Sequence, residues 1–153
     1  MKKFKFQLET LLKVTRMKKE EAEVALAEAS RKLEDQREQL RRLMQEMQQG
    51  QTDYENLTQA KHLTVGTLMT YNSFFAWKRE QIELQQEAIL YSRAEKQKKM
   101  KELLELMNKL KSIEQLKEKR WKQYLEQALF EEQKMLDEIG LQLYMRNAGQ
   151  GDE

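Results

Sequence analysis

The stretch Leu12–Leu57, LKVTRMKKEEAEVALAEASRKLEDQREQLRRLMQEMQQGQTDYENL, decides the fold. Counting by sevens from Leu12 gives Leu12, Lys19, Leu26, Leu33, Leu40, Met47 and Tyr54. A second column three residues on gives Thr15, Ala22, Ala29, Gln36, Leu43, Gly50 and Leu57. One column is mostly large and the other mostly small, the pattern of a heptad seam in which small residues let a partner helix approach closely. The apolar stripe is narrow, so the helix needs one partner and not a broad core. Helix is predicted from about residue 4 to about residue 61.

The pattern stops at His62-Leu63-Thr64-Val65-Gly66-Thr67, where β-branched residues and a glycine crowd together. Thr64 or Thr67 can cap a following helix. A turn is expected over about 62–69, and a second helix over about 70–147. Phe75, Ile82, Ile89, Leu103 and Leu110 mark its seam, with Lys96 as an interruption. Beyond Trp121 the apolar positions shift to Leu125, Leu129, Leu136, Ile139 and Leu143, a new register that faces elsewhere. Residues 148–153 read as a frayed, disordered tail.

Composition agrees with long helix. The 153 residues include 39% hydrophobic and 35% charged residues, with no proline and no cysteine. Only three Val and four Ile are present, so the aliphatic content rests on the unbranched Leu and Met, which enter helices at little cost. A β protein is excluded, and the expected class is all-α: one coiled-coil domain, a long two-helix antiparallel hairpin whose second helix overhangs the first.

Charge supplies a check on this arrangement. With the turn centred near Val65, residue i should face about residue 130 − i. Residues 20–38 have a net charge of −4 and their expected partners, 92–110, a net of +3. Each exposed pair is worth only ~0.2–1 kcal/mol, but opposite fields select a register and argue against a parallel dimer, which would set each acidic run beside its own copy. The free chain is therefore expected to be a monomer. At ~1.5 Å per residue the helices would span about 85–90 Å and about 115 Å. From Phe130 on, the second helix would have no partner in the chain, leaving Met135, Leu136, Ile139, Leu143 and Tyr144 as apolar surface for another molecule.

Catalytic chemistry finds little support. His62 is the only histidine, the four serines lack triad company, and the five glycines are scattered singly. His62 reads as a surface turn residue. Glu20, Glu21 and Glu23, or Glu131 and Glu132, lie on solvated helical faces without convergent geometry for a metal. No enzyme, cofactor or metal is expected. The overall balance of 28 basic and 26 acidic residues disfavours nucleic acid as a partner. No apolar run reaches the length of a membrane span, and no signal peptide is evident, so a cytoplasmic protein without membrane insertion is expected.

Two surfaces stand out. Residues 2–19 have a net charge of +6 and residues 111–122 a net of +3, a basic tip containing Lys13, Arg16, Lys18, Lys19, Lys117, Arg120 and Lys122. It reads either as a plug for an acidic socket or as a solvated face. Tyr71, Phe74, Phe75 and Trp77 crowd just after the turn, with Tyr54 expected opposite. Phe75 fits the seam, so Phe74 and Trp77 should point away from it, as anchors of a partner patch or as a local cluster over the turn.

The opening Phe4-Lys5-Phe6-Gln7-Leu8-Glu9-Thr10-Leu11-Leu12-Lys13-Val14 resembles that of the flagellar type III export protein FliJ family. Tyr71-Asn72-Ser73-Phe74-Phe75, Glu83-Leu84-Gln85-Gln86 and Gln133-Lys134-Met135-Leu136-Asp137-Glu138 are similar too, so the likeness extends over nearly the whole chain. The resemblance implies a coiled-coil stalk like the γ subunit of rotary ATPases. Its terminal end would enter the export ATPase ring and promote ring assembly, placing the basic tip with Leu136, Ile139 and Leu143 at that contact. It also implies contact with the export-gate membrane protein, by position at Phe74, and with export chaperones. One turn beyond Phe74, where the family is apolar, this chain has Lys78 beside Trp77. The implied place is the inner face of the cell membrane at the flagellar base. The stalk of a virulence injectisome and a generic coiled-coil tether or chaperone share the architecture and remain open at this point.

Overall fold

A computed structural model describes residues 2–151. Its elements are two α-helices, α1 over Glu9–Gln59 and α2 over Val65–Gln150, with no strand among the described residues. The fold is the all-α pair of long helices, packed on each other, that the heptads predict. The chain divides into two compact units: a hairpin unit, Lys18–Glu105, and a terminal unit, Met1–Met17 with Leu106–Glu153.

In the hairpin unit, every member of both α1 columns from Lys19 to Leu57 is buried or half-buried. The facing seam of α2 is Phe75, Ile82, Ile89, Lys96 and Leu103 in one column, and Tyr71, Lys78, Gln85, Ser92 and Lys99 in the other. The second column is polar along most of its length. Lys96 does not interrupt the seam but stays in it half-buried, as a long aliphatic stem allows a lysine to do.

The turn is shorter than expected. Lys61 takes a left-handed conformation (φ 57°), and the Lys61 N–H donates to Thr58 O while the His62 N–H donates to Leu57 O, both at 3.3 Å. These two bonds close α1 as a Schellman motif. Thr64 is the cap of α2: its Oγ1 accepts from the Thr67 N–H at 3.2 Å. Val65, Gly66 and Thr67 therefore fill the first helical turn, where capping outweighs poor propensity. The turn is centred near residue 62, and the register shifts with it. Glu46 meets Lys78, Gly50 meets Phe74 and Gln36 meets Gln85, so residue i faces about 124 − i and not 130 − i. On this register residues 20–38 face about 86–104, whose net charge of +2 keeps the fields opposed.

In the terminal unit, α1 begins at Glu9 and not near residue 4. The preceding residues are non-helical, and the Phe4-Lys5-Phe6 alternation lets both rings turn towards α2. Phe6 packs on the buried Leu12, Leu110 and Ile113. Thr15 is buried with them, its hydroxyl donating to Leu11 O at 2.7 Å. Phe4 joins Trp121 (centroids 5.1 Å apart) and Tyr124 (5.5 Å), and the Tyr124 hydroxyl donates to Lys2 O at 2.7 Å. Of the shifted apolar register beyond Trp121, Leu125 is 41% exposed and every described residue from Leu129 onward is exposed. Residues 148–150, expected to fray, continue α2, while Asp152 and Glu153 lie outside the described residues.

Candidate functional site

In the hairpin unit the aromatic residues near the turn come together. Tyr54 meets Tyr71 at 5.5 Å and Phe75 at 6.1 Å, edge to face, and Phe74 meets Phe75 at 5.6 Å. Such contacts contribute about 0.5–1.5 kcal/mol each beyond area burial, so this group closes the hairpin next to its turn. Phe74 does not point away from α1 as expected. Its ring lies over the bare backbone of Gly50, and a methyl group there would come within 2.5 Å of Phe74 Cε1. Gly50 is thus a notch cut for this ring. Trp77 does point outward, 53% exposed.

Beside Phe74 stands a buried cation. Lys78 is only 4% exposed and pairs with Glu46 across the hairpin, while the Glu46 side chain keeps 56% of its surface in water. The Lys78 ammonium also lies 4.9 Å from the Trp77 ring centroid and 5.6 Å from that of Phe74. This seam position holds a lysine whose charge is answered by a carboxylate and two rings. Glu46, Gly50, Asp53, Tyr71, Phe74 and Lys78 line an open groove of about 480 Å³. The groove has an aromatic floor and a carboxylate rim.

In the terminal unit the basic residues are partly engaged. Lys117 pairs with Glu9 at 2.9 Å and Arg16 with Glu114 at 3.4 Å, so two of the few acids of the tip bind the helices together. The hydrogen bond from Lys117, aided by the charges of Lys117, Lys13 and Arg16, holds the Glu9 carboxyl below the ordinary carboxylate range. Lys122 pairs with Glu118 along its own helix. Lys13 and Arg120 are exposed, and Arg120 lines a groove with Phe4, Phe6, Leu116 and Tyr124. Leu136, Ile139 and Leu143 are about half exposed on α2. Lys18 and Lys19 belong to the hairpin unit, Lys18 exposed and Lys19 paired with Glu23 at 3.2 Å.

The Phe4–Trp121–Tyr124 cluster escaped sequence reading, which found aromatic residues grouped only near the turn. The available signals were the Phe-x-Phe alternation and the helical spacing of Trp121 and Tyr124, but their meeting depends on the hairpin register. His62 is exposed in the turn. Among the described residues no three His, Asp or Glu side chains converge as a metal site, and no helix is long and apolar enough to cross a membrane.

The fold and its surfaces define a class: a coiled-coil protein with exposed apolar, aromatic and basic groups. The chain belongs to the flagellar FliJ protein family, which it matches over residues 4–149. Membership makes it a flagellar export-associated protein. Searches of curated proteins and of solved structures returned no match.

Proposed function

We propose that this protein is a non-enzymatic stalk of the flagellar export apparatus. Its terminal unit binds the export ATPase ring, and the aromatic patch of the hairpin unit contacts the export-gate membrane protein. Export chaperones are further partners. The protein works in the cytoplasm at the inner face of the cell membrane, at the flagellar base.

The observation that supports the ring contact is the exposed stretch of α2 after Ala128. Phe130, Met135, Leu136, Ile139, Leu143 and Tyr144 are all exposed there, too much apolar surface to stand in water without a partner. Lys13, Arg16, Arg120 and Lys122 of the same unit would add electrostatic steering towards an acidic socket. The mechanism is a population shift: a stalk that binds the assembled ring better than free subunits draws the equilibrium towards the ring, without touching the bond that is cleaved.

ATP turnover by the cognate export ATPase, titrated with this protein while ring formation is followed, tests the proposal. Stimulation that saturates near one chain per ring is expected. A folded chain that neither stimulates turnover nor joins rings would overturn the stalk reading.

A further inference from the structure

The outward face of α2 in the hairpin unit has a pattern that neither the seam nor the proposed ring contact explains, and of which the proposed gate patch takes only Trp77. Trp77, Leu84 and Tyr91 follow one another at intervals of seven residues and are 53%, 54% and 65% exposed. They occupy the same heptad position, on the side of α2 turned away from its seam with α1. Over these two heptads the stripe extends about 21 Å.

The charges on this face are of one sign. Glu80 and Glu87 stand three or four residues from the stripe members and share their side of the helix, and Glu83 stands three and four residues from those two glutamates, on the edge next to Arg79. Lys78 is turned into the seam, and Arg79 lies on the flank, since residues two apart do not share a face. Other acids find cations along their own helix, as Glu23 does with Lys19, Glu34 with Arg37 and Glu38 with Arg41. Among the described residues Glu80, Glu83 and Glu87 have no cation within 4 Å. Two unpaired carboxylates, Glu80 and Glu87, therefore flank three large exposed apolar side chains directly, with Glu83 beside those two on the edge of the face.

We propose that the outward face of α2 from Trp77 to Tyr91 docks a basic amphipathic helix of a partner protein. The seven-residue repeat matches the spacing at which a second helix presents its own apolar residues, and the glutamates fit lysines or arginines flanking that stripe. The acidic character excludes nucleic acid and anionic lipid as occupants. A two-fold pairing of copies through this face would set glutamates against glutamates, which disfavours a homodimer.

The test uses the full chain and two labelled three-heptad model helices, one of Leu and Lys, the other of Leu and Glu, with binding read by fluorescence anisotropy. Saturable one-to-one binding of the Leu/Lys helix alone is expected. Glu80→Lys with Glu83→Lys and Glu87→Lys should weaken it by about tenfold or more, and so should Leu84→Ala with Tyr91→Ala. These positions are exposed, and circular dichroism checks that the variants keep their helicity. Glu20→Lys with Glu21→Lys and Glu23→Lys alters an equally acidic stretch of α1 and should leave the affinity unchanged. Equal weakening by that control, equal binding of the Leu/Glu helix, or no binding at all would overturn the proposal. So would concentration-dependent self-association that Leu84→Ala with Tyr91→Ala abolishes, which would assign the face to a second copy.

Discussion

The ring of Phe74 occupies the space that a side chain at Gly50 would fill, and a Cβ at position 50 would lie 2.5 Å from its Cε1. Glycine in a helix interior costs about 0.5–1 kcal/mol relative to alanine, so an empty site would favour Gly50→Ala. Here the ring must move, and overpacking of this kind costs about 1–3 kcal/mol. Gly50→Ala is expected to destabilise the protein in urea unfolding. In a Phe74→Ala background the same substitution should become stabilising. A sign that does not reverse would mean that the notch is not made for this ring.

Lys78 and Glu46 differ in what each loses with the other. Lys78 is buried while Glu46 remains half in water. Removing the carboxylate in Glu46→Ala leaves a buried cation with only its two rings, at a cost of about 2 kcal/mol. Lys78→Met keeps the packed stem and frees a carboxylate that water can solvate, so thermal unfolding should show little or no loss. Lys78→Ala also removes the stem and should cost about 2 kcal/mol through packing.

Lys61 holds the left-handed position that closes α1, where a β-carbon costs roughly 1–2 kcal/mol. Lys61→Gly should stabilise the hairpin by about 1 kcal/mol, visible as a raised midpoint in thermal circular dichroism. An unchanged or lowered midpoint would show that the lysine side chain makes a compensating contact.

The Glu9 carboxyl sits below its ordinary range because Lys117 hydrogen-bonds to it. A group whose pKa is lowered by folding adds stability above its unfolded pKa, and that stability disappears as pH falls through the folded value. Acidification from the ordinary carboxylate range downward should therefore weaken the packing of residues 2–17 on α2. Glu9→Gln should be less stable than the parent at neutral pH and equal to it below both pKa values. Urea unfolding at a series of pH values measures the difference.

Of the terminal unit's exposed cations Lys13, Arg16 and Arg120, Arg16 engages an exposed partner, Glu114, a pair worth about 0.2–1 kcal/mol. Reversing Lys13, Arg16 and Arg120, exposed residues of the terminal unit, should leave helicity intact and weaken stimulation of the export ATPase. Phe74→Ala with Trp77→Ala should spare stimulation and weaken binding to the export-gate protein. Identical behaviour of the two variants in both assays would rule out separate ring and gate surfaces.

Periodicity along the chain determined the helices and their seam. Leu12, Leu26, Leu33 and Leu40 repeat every seven residues, a local property that needs no knowledge of the partner, and proline-free, Leu- and Met-rich composition leaves little else to form. The family resemblance was legible in the same way, from Phe4 to Val14 and from Tyr71 to Phe75. What faces what was decided by tertiary structure. Thr64 capping moved the centre of the turn by about three residues, and an antiparallel register moves by twice that amount. Counting apolar residues also missed the polar seam column of Lys78, Gln85 and Ser92, whose burial depends on partners from the other helix. Gln85 shows the reason: its side-chain amide donates to both the backbone carbonyl and the side chain of Gln36, forty-nine residues away. The place of Phe74 over Gly50 and of Phe4 between Trp121 and Tyr124 follows from the same cause, since the contact exists only once two distant stretches of chain have been brought side by side.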